Sequence, residues 1–356
     1  MMNVTVSHRL EGIGEYYFSS KLREIDELNK AGKGIINLGI GSPDLPPHPD
    51  VIKVLQDEAG KDNVHAYQSY KGSPILREAI ANWYKKYFKV ADLNPATEIL
   101  PLLGSKEGIM HICMTYLNEG DQVLIPNPGY PTYTSAVKLA GGTPLYYALT
   151  AENSWAPDFE NLVAFGRKHQ ILICHDNPYA FILNEQPESL LSIHGAKEVV
   201  IELNSLSKSQ NMAGWRVGML IAAEDRINEI LRFKSNMDSG MFLPVQLAAA
   251  KALSLDKSWY DSVNKIYTAR REKVFELLDV LKCAYSKQQV GMFVWAKIPA
   301  TYKDGYALSD KVLYEANVFI TPGGIFGSAG NDYIRVSLCG SLEKFSEAIK
   351  KIKACV

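Results

Sequence analysis

The sequence predicts an α/β protein: a large domain with a mostly parallel sheet and helices on both faces, plus a smaller α+β domain. Three observations predict it. From residue 98 to 222, short apolar runs alternate with amphipathic stretches of helical length, the pattern of a sheet covered on both faces. From residue 224 the chain is mostly helical, with three more strand-like runs near its end. At 356 residues it also exceeds the size at which one core usually stops growing. The expected division is an N-terminal segment at 1–46 packing with the small domain, a large domain at 47–245 and the small domain at 246–356.

Taken in order, Tyr17 to Lys30 suits a short helix stopped by Gly32, and IINLGIG (35–41) a brief strand before the proline-punctuated loop at 42–50. VIKVLQDEAGK puts Val51, Val54 and Leu55 on one helical face. A Gly-rich turn at Lys71 to Pro74 then opens an amphipathic helix through Leu76, Ile80, Trp83, Tyr84 and Tyr87. Strands follow at ILPLL (99–103), VLIPNP (123–128), TPLYYAL (143–149), ILICHD (171–176), VVIEL (199–203) and VGMLIA (217–222). IMHICMTYL, the segment after NPGYP, and PDFENLVAFGRKHQ supply helices among them, with Pro157 suited to the start of the last. Residues 224–285 read as helical, and MFVWAKI (292–298), VFITPG (318–323) and YIRVSL (333–338) as strands. Ligands are expected at the carboxyl ends of the large sheet.

Composition excludes several classes. The chain is 47% hydrophobic and 22% charged, with a formal net charge of −1, so there is no basic field for a nucleic-acid backbone. Its five cysteines, Cys113, Cys174, Cys283, Cys339 and Cys355, form neither a C-x-x-C pair nor an even set, as expected of reduced thiols in a cytoplasmic protein. No run approaches the length of a membrane span, and Arg9, Glu11 and Glu15 interrupt any signal-peptide core. A metal is not expected.

The stretch from Glu202 to Gly218 is the chemical centre. An apolar run ends in a polar turn carrying Ser205, Ser207 and Lys208, and Gly214, Trp215 and Arg216 lead into the next run. This puts a lysine at the rim of a buried sheet, where burial can make it nucleophilic. GSKEG (104–108) is a candidate anion site, since a glycine turn and a helix start aim N–H groups at one point, although it matches neither the P-loop nor G-x-G-x-x-G. GIGSP (39–43) has the same standing. Asp176, with Tyr179 three residues later, can orient a heteroaromatic ring, and Arg335 offers a fork for a carboxylate. Each also has an ordinary reading. Asp176 can be a loop cap, Arg335 the solvent-facing member of a strand, and Tyr130 a packing residue beside prolines.

The combination decides between these readings. NLGIGSPD, YQSYKG, GSKEG, NPGYP, DNPY, SLSK with MAGWRVG, and YIRVSL occur in this order over nearly the whole chain. In them the sequence resembles the class I aminotransferases of fold type I, which bind pyridoxal phosphate, in the branch of diaminopimelate and other broad amino-acid aminotransferases. The resemblance implies transfer of the amino group of an α-amino acid to a 2-oxo acid such as 2-oxoglutarate through a pyridoxal/pyridoxamine phosphate cycle. It implies that Lys208 carries the cofactor as a Schiff base and then moves the substrate's proton. Asp176 would pair with the pyridine nitrogen, Tyr179 bond the ring oxygen and Tyr130 stack on the ring. Ser105, Lys106, Ser205, Ser207 and Arg216 would hold the phosphate, with Tyr67 reaching the phosphate of the neighbouring subunit in a homodimer with shared active sites. Arg335 would clamp the substrate carboxylate beside the backbone of Ile40 and Gly41. Trp215 is expected to support Arg216, and residues 232–244 to lie by the active site or subunit contact. Two other readings are a Cβ lyase on the same cofactor and a noncatalytic regulatory or structural protein that binds it.

One departure stands out. The family usually carries an N-P-x-N-P-T-G-like segment, with an asparagine on the ring oxygen, between the strands at 143–149 and 171–176. Here AENSWAPDFE runs directly into NLVAFGRKH, so a central strand and its loop are absent. Either the segment is lost, or a mobile stretch between about Pro157 and Val163 is omitted from the sequence. The cost of removing a buried strand favours omission.

Overall fold

The computed structural model describes residues 4–152 and 154–355. In chain order its elements are α1 (Tyr17–Lys30), β1 (Ile36–Asn37), α2 (Pro49–Ala59), α3 (Pro74–Phe88), β2 (Ile99–Leu102), α4 (Ser105–Tyr116) and β3 (Gln122–Asn127). Then come α5 (Pro131–Leu139), β4 (Thr143–Ala148), α6 (Phe159–His169), β5 (Ile173–Asp176), β6 (Val200–Ser205), the single turn α7 (Leu206–Ser209) and β7 (Gly218–Ile221). The remainder is α8 (Glu224–Lys234), α9 (Leu243–Leu253), α10 (Lys257–Val280), β8 (Phe293–Lys297), α11 (Gly305–Ala316), β9 (Val318–Phe319), β10 (Thr321–Pro322), β11 (Tyr333–Ser337) and α12 (Leu342–Lys353).

Contacts divide the chain into two compact units. One consists of residues 43–116 and 157–263 and holds a four-stranded sheet in the order β2-β7-β6-β5. β5 and β6 are parallel, and β7 is antiparallel to both of its neighbours, so β2, β5 and β6 share one direction. All of β2, β6 and β7 is buried, as expected of strands covered on both faces. The helix α3 starts where Ser73 accepts the Leu76 N–H at 3.2 Å and Pro74 takes the first helical position. It ends at Lys89, which takes the left-handed conformation of a C-cap at φ 60°. Its buried face, Leu76, Ile80, Trp83 and Tyr84, joins Phe181 and the alanines Ala248, Ala249 and Ala252 of α9 in the core. Each such large side chain contributes roughly 1.5–3 kcal/mol by leaving water. Where Trp83 would bury an N–H, Tyr260 accepts it at 2.8 Å.

The other unit consists of residues 1–42, 117–156 and 264–356. It contains the parallel pair β3–β4, the parallel pair β1–β9 and an antiparallel sheet in the order β10-β11-β8. Ile25 of α1, Leu313 of α11 and Phe319 of β9 are buried together. This grouping cuts across the linear division expected from sequence. Residues 117–156 cluster with the chain's two ends, and residues 246–263 with the four-stranded sheet's unit. Among the described residues β3 pairs with β4 alone.

Candidate active site

Because β2, β5 and β6 are co-directed and β7 is reversed, three strand ends and one strand start lie on the same rim. The register fixes this: Leu102 and Ser205 both face Gly218, and Asp176 faces Leu203. From this rim leave the turn to Ser105, the loop to Tyr179, the turn to Lys208 and the approach from Arg216. One unit therefore brings together Ser105, Lys106, Asp176, Tyr179, Ser205, Ser207, Lys208 and Arg216.

Close packing sets the geometry. Any Cβ at Gly218 would lie 2.5 Å from the Ser105 nitrogen, so glycine lets the start of α4 settle onto β7. Arg216, itself left-handed at φ 57°, donates to the Ala213 carbonyl at 2.9 Å and to the Leu103 carbonyl at 3.4 Å. Its guanidinium thus lies over the Leu103–Gly104 turn. The Ser205 hydroxyl donates to the Ser207 hydroxyl at 2.8 Å and to the Val217 carbonyl at 3.2 Å. Lys208 is half-buried, with its Nζ 5.6 Å from the centre of the Tyr179 ring. A helix start, two hydroxyls and an arginine are the donors that a phosphate monoester requires. With the lysine, the acid of Asp176 and the phenol of Tyr179 beside them, these residues fit pyridoxal phosphate. Trp215 packs against the core.

The second unit holds the other predicted residues. Arg335 in β11 is half-buried; its guanidinium carbon lies 3.7 Å from the Phe293 ring centre and 4.5 Å from that of Phe326. One N–H reaches the Gly39 carbonyl at 3.2 Å, beside Ile40 and Gly41. A side chain at Gly41 would enter the Phe293 ring, at 2.1 Å, so glycine keeps open the backbone next to the arginine. Tyr130 caps α5, edge-on to Tyr133 at 5.6 Å. Tyr67, in the first unit, is 92% exposed and so presents its ring outward.

Sequence reasoning missed Glu202. This carboxylate is fully buried in β6 and accepts from the Tyr84 hydroxyl at 2.8 Å and the Ser189 hydroxyl at 2.6 Å, with His175 Nδ1 at 2.9 Å. Burial, and then the Glu202 charge, push the Tyr84 phenol well above its usual range. The cluster ties β5 to β6 one register step before Asp176. An acid inside the apolar run VVIEL was its only sequence signal.

The fold, with its lysine-bearing rim, is that of the enzymes that bind pyridoxal phosphate. The profile of the family Aminotransferase class I and II matches residues 33–180 and 157–352, and the chain belongs to this family. It is 36% identical over 380 residues to the LL-diaminopimelate aminotransferase of Natranaerobius thermophilus, covering 97% of this chain and 98% of that one. Among solved structures it is similar to substrate-bound BacF from Bacillus subtilis, at 32% identity and a TM-score of 0.93 over 99% of this chain and 98% of that one. It is also similar to an aromatic aminotransferase from Pyrococcus horikoshii, at 28% identity and a TM-score of 0.85 over 90% and 95%. It is thus a fold type I, pyridoxal-phosphate-dependent aminotransferase of the diaminopimelate and broad amino-acid branch.

The family profile breaks in the region where the segment is absent. Since 97% of 356 residues is about 345, about 35 of the 380 positions aligned with the Natranaerobius enzyme face no residue here. The sequence is continuous, and Asp158 caps α6 by accepting the Asn161 N–H at 3.0 Å. Residues 157–163 lead into an ordinary capped helix start. Just before it, Ser154 and Trp155 are both left-handed, at φ 56° and 61°, a conformation costly for such residues. The Trp155 ring packs edge-on against Tyr333 at 5.2 Å and Trp295 at 5.9 Å, which offsets part of that cost. Among the described residues, no helix is long and apolar enough to cross a membrane.

Proposed function

We propose that this aminotransferase moves the amino group of an α-amino acid to a 2-oxo acid such as 2-oxoglutarate, working as a cytoplasmic homodimer with shared active sites. The observation that carries the reading is the rim on which Lys208, Asp176, Tyr179, Ser205 and Arg216 converge. Bound there, pyridoxal phosphate supplies an electron sink for the bond broken at the α-carbon. Lys208 would hold the cofactor and would move the proton at the substrate's α-carbon. Asp176 keeps the ring nitrogen protonated. Tyr179 bonds the ring oxygen, while Ser105, Lys106, Ser205, Ser207 and Arg216 hold the phosphate. Tyr67 serves the neighbouring subunit's phosphate, Tyr130 stacks on the ring and Arg335 binds the substrate carboxylate. With the asparagine-bearing segment missing, Tyr179 holds the ring oxygen alone.

The test is a panel of α-amino acids offered with 2-oxoglutarate, read as glutamate formed and oxo acid released. Amino transfer in equal amounts supports the proposal. Release of ammonia without glutamate would make the protein a lyase. Cofactor binding with neither product would make it a noncatalytic binder, a reading to which the missing segment lends support.

A further inference from the structure

Behind the phosphate turn lies a partly buried polar cluster that the proposed chemistry does not use. Glu107 Oε1 accepts the Leu103 N–H at 2.6 Å, which closes the turn carrying Gly104 into the start of α4. One helical turn on, His111 is 3% exposed, with Nε2 3.7 Å from that same oxygen and neither ring nitrogen in a hydrogen bond. Glu107, His111 and Asp238 each present an atom within 4.8 Å of the others. Asp238 Oδ1 accepts from Lys234 Nζ at 2.6 Å and the Gly240 N–H at 3.2 Å, while its buried Oδ2 has no hydrogen bond. Lys234, 2% exposed, reaches on to the Tyr70 carbonyl at 3.4 Å. At Gly240 a Cβ would lie 2.7 Å from the Gln68 and Ser69 carbonyls, so the loop that carries Tyr67 rests on this turn.

We infer that His111 is a positioning residue for the phosphate turn, set beside Glu107 and Asp238 so that it keeps the Glu107 carboxylate turned away from the rim. The inference rests on the reading of Ser105, Lys106 and Arg216 as the phosphate cradle. Two residues beyond Ser105, a carboxylate that swung toward the rim would repel a phosphate dianion. Two features hold it back: the bond to the Leu103 N–H, and the ring of His111, whose Nε2 stands 3.7 Å from its Oε1. Phe233 fixes that ring edge-on at 5.6 Å. Through Lys234 and Gly240 the same cluster fixes the Tyr67 loop against the turn. Three such ligand types also suit a divalent cation, but the Lys234 ammonium beside Asp238 already brings positive charge to this place.

The test compares binding of pyridoxal phosphate with that of pyridoxal, which lacks the phosphate, to the apoenzyme of the full chain. His111→Leu removes both ring nitrogens; His111→Gln restores one donor. His111→Leu is expected to weaken pyridoxal phosphate about tenfold and to leave pyridoxal within about twofold, with His111→Gln recovering most of the difference. Equal loss for both ligands, or no loss, overturns the inference, because a merely structural role does not discriminate by the phosphate. If His111→Leu does not fold, Asp238→Asn, of nearly the same shape, reads the same ratio. Arg216→Lys is run beside them. A loss there without one at His111 leaves the cradle standing and refutes the positioning role, whereas no loss in either refutes the cradle itself and the inference with it. Zinc that raises the melting temperature of the parent protein but not of His111→Leu would make the cluster a metal centre and overturn the inference.

Discussion

Gly104 and Gly120 form a matched pair for testing the phosphate cradle. Gly104 has φ +90° and Gly120 has φ +92°, so alanine carries a similar left-handed backbone penalty at either, about 1–2 kcal/mol. Their surroundings differ. A Cβ at Gly104 would lie 2.1 Å from a terminal nitrogen of Arg216, whereas Gly120 has nothing within 4 Å. Both substitutions should lower the urea midpoint by similar amounts, but only Gly104→Ala should push the guanidinium off its turn. A hydrogen bond between charged groups is worth about 1.5–3 kcal/mol, so the dissociation constant for pyridoxal phosphate should rise roughly 10- to 150-fold. Gly120→Ala should leave it within about twofold, a difference read by titrating each apoprotein and following absorbance. Equal affinities in the two variants would refute the argument that Arg216 holds the phosphate from this turn.

Three further outcomes follow from the geometry. Glu202→Ala strips the acceptor from Tyr84, Ser189 and His175 at once and should cost about 3 kcal/mol or more in urea unfolding; a loss below about 1 kcal/mol would contradict the buried network. Arg335→Leu should raise KM for both amino acid and oxo acid while the affinity for pyridoxal phosphate stays within about twofold, and unchanged KM values would remove Arg335 from substrate binding. Burial pushes the Cys113 thiol up to about 11 and the Cys283 thiol up to about 12, so both stay protonated at pH 8. Iodoacetamide should label neither until denaturant is added, as peptide mass mapping would show.

Much of this fold can be read in the residues because local chemistry dictates it. Tyr17–Lys30 forms the expected helix, and Ser73 with Pro74 starts another where a cap and a first-turn proline coincide. The turn with Ser205, Ser207 and Lys208 follows an apolar run that becomes β6, as strand periodicity requires. What periodicity could not give is pairing. Nothing local says that Leu102 and Ser205 share Gly218 as a partner, and that register places four segments of the candidate site on one rim. Glu202 was hidden for the same reason, since its partners lie 118, 27 and 13 residues away in sequence. Residues 117–156 cluster with the chain's two ends, a grouping that no window of sequence contains.

The central claim is that Lys208 holds pyridoxal phosphate and turns over amino acids in a chain that lacks a family strand. Borohydride reduction of the loaded protein, followed by peptide mass mapping, tests it most directly, with turnover measured on the same preparation. The account predicts a pyridoxyl addition on the peptide carrying Lys208, absent in Lys208→Ala, together with glutamate formation that the variant loses. A parent protein that carries the addition elsewhere, or that binds the cofactor yet forms no glutamate from any amino acid, would contradict it.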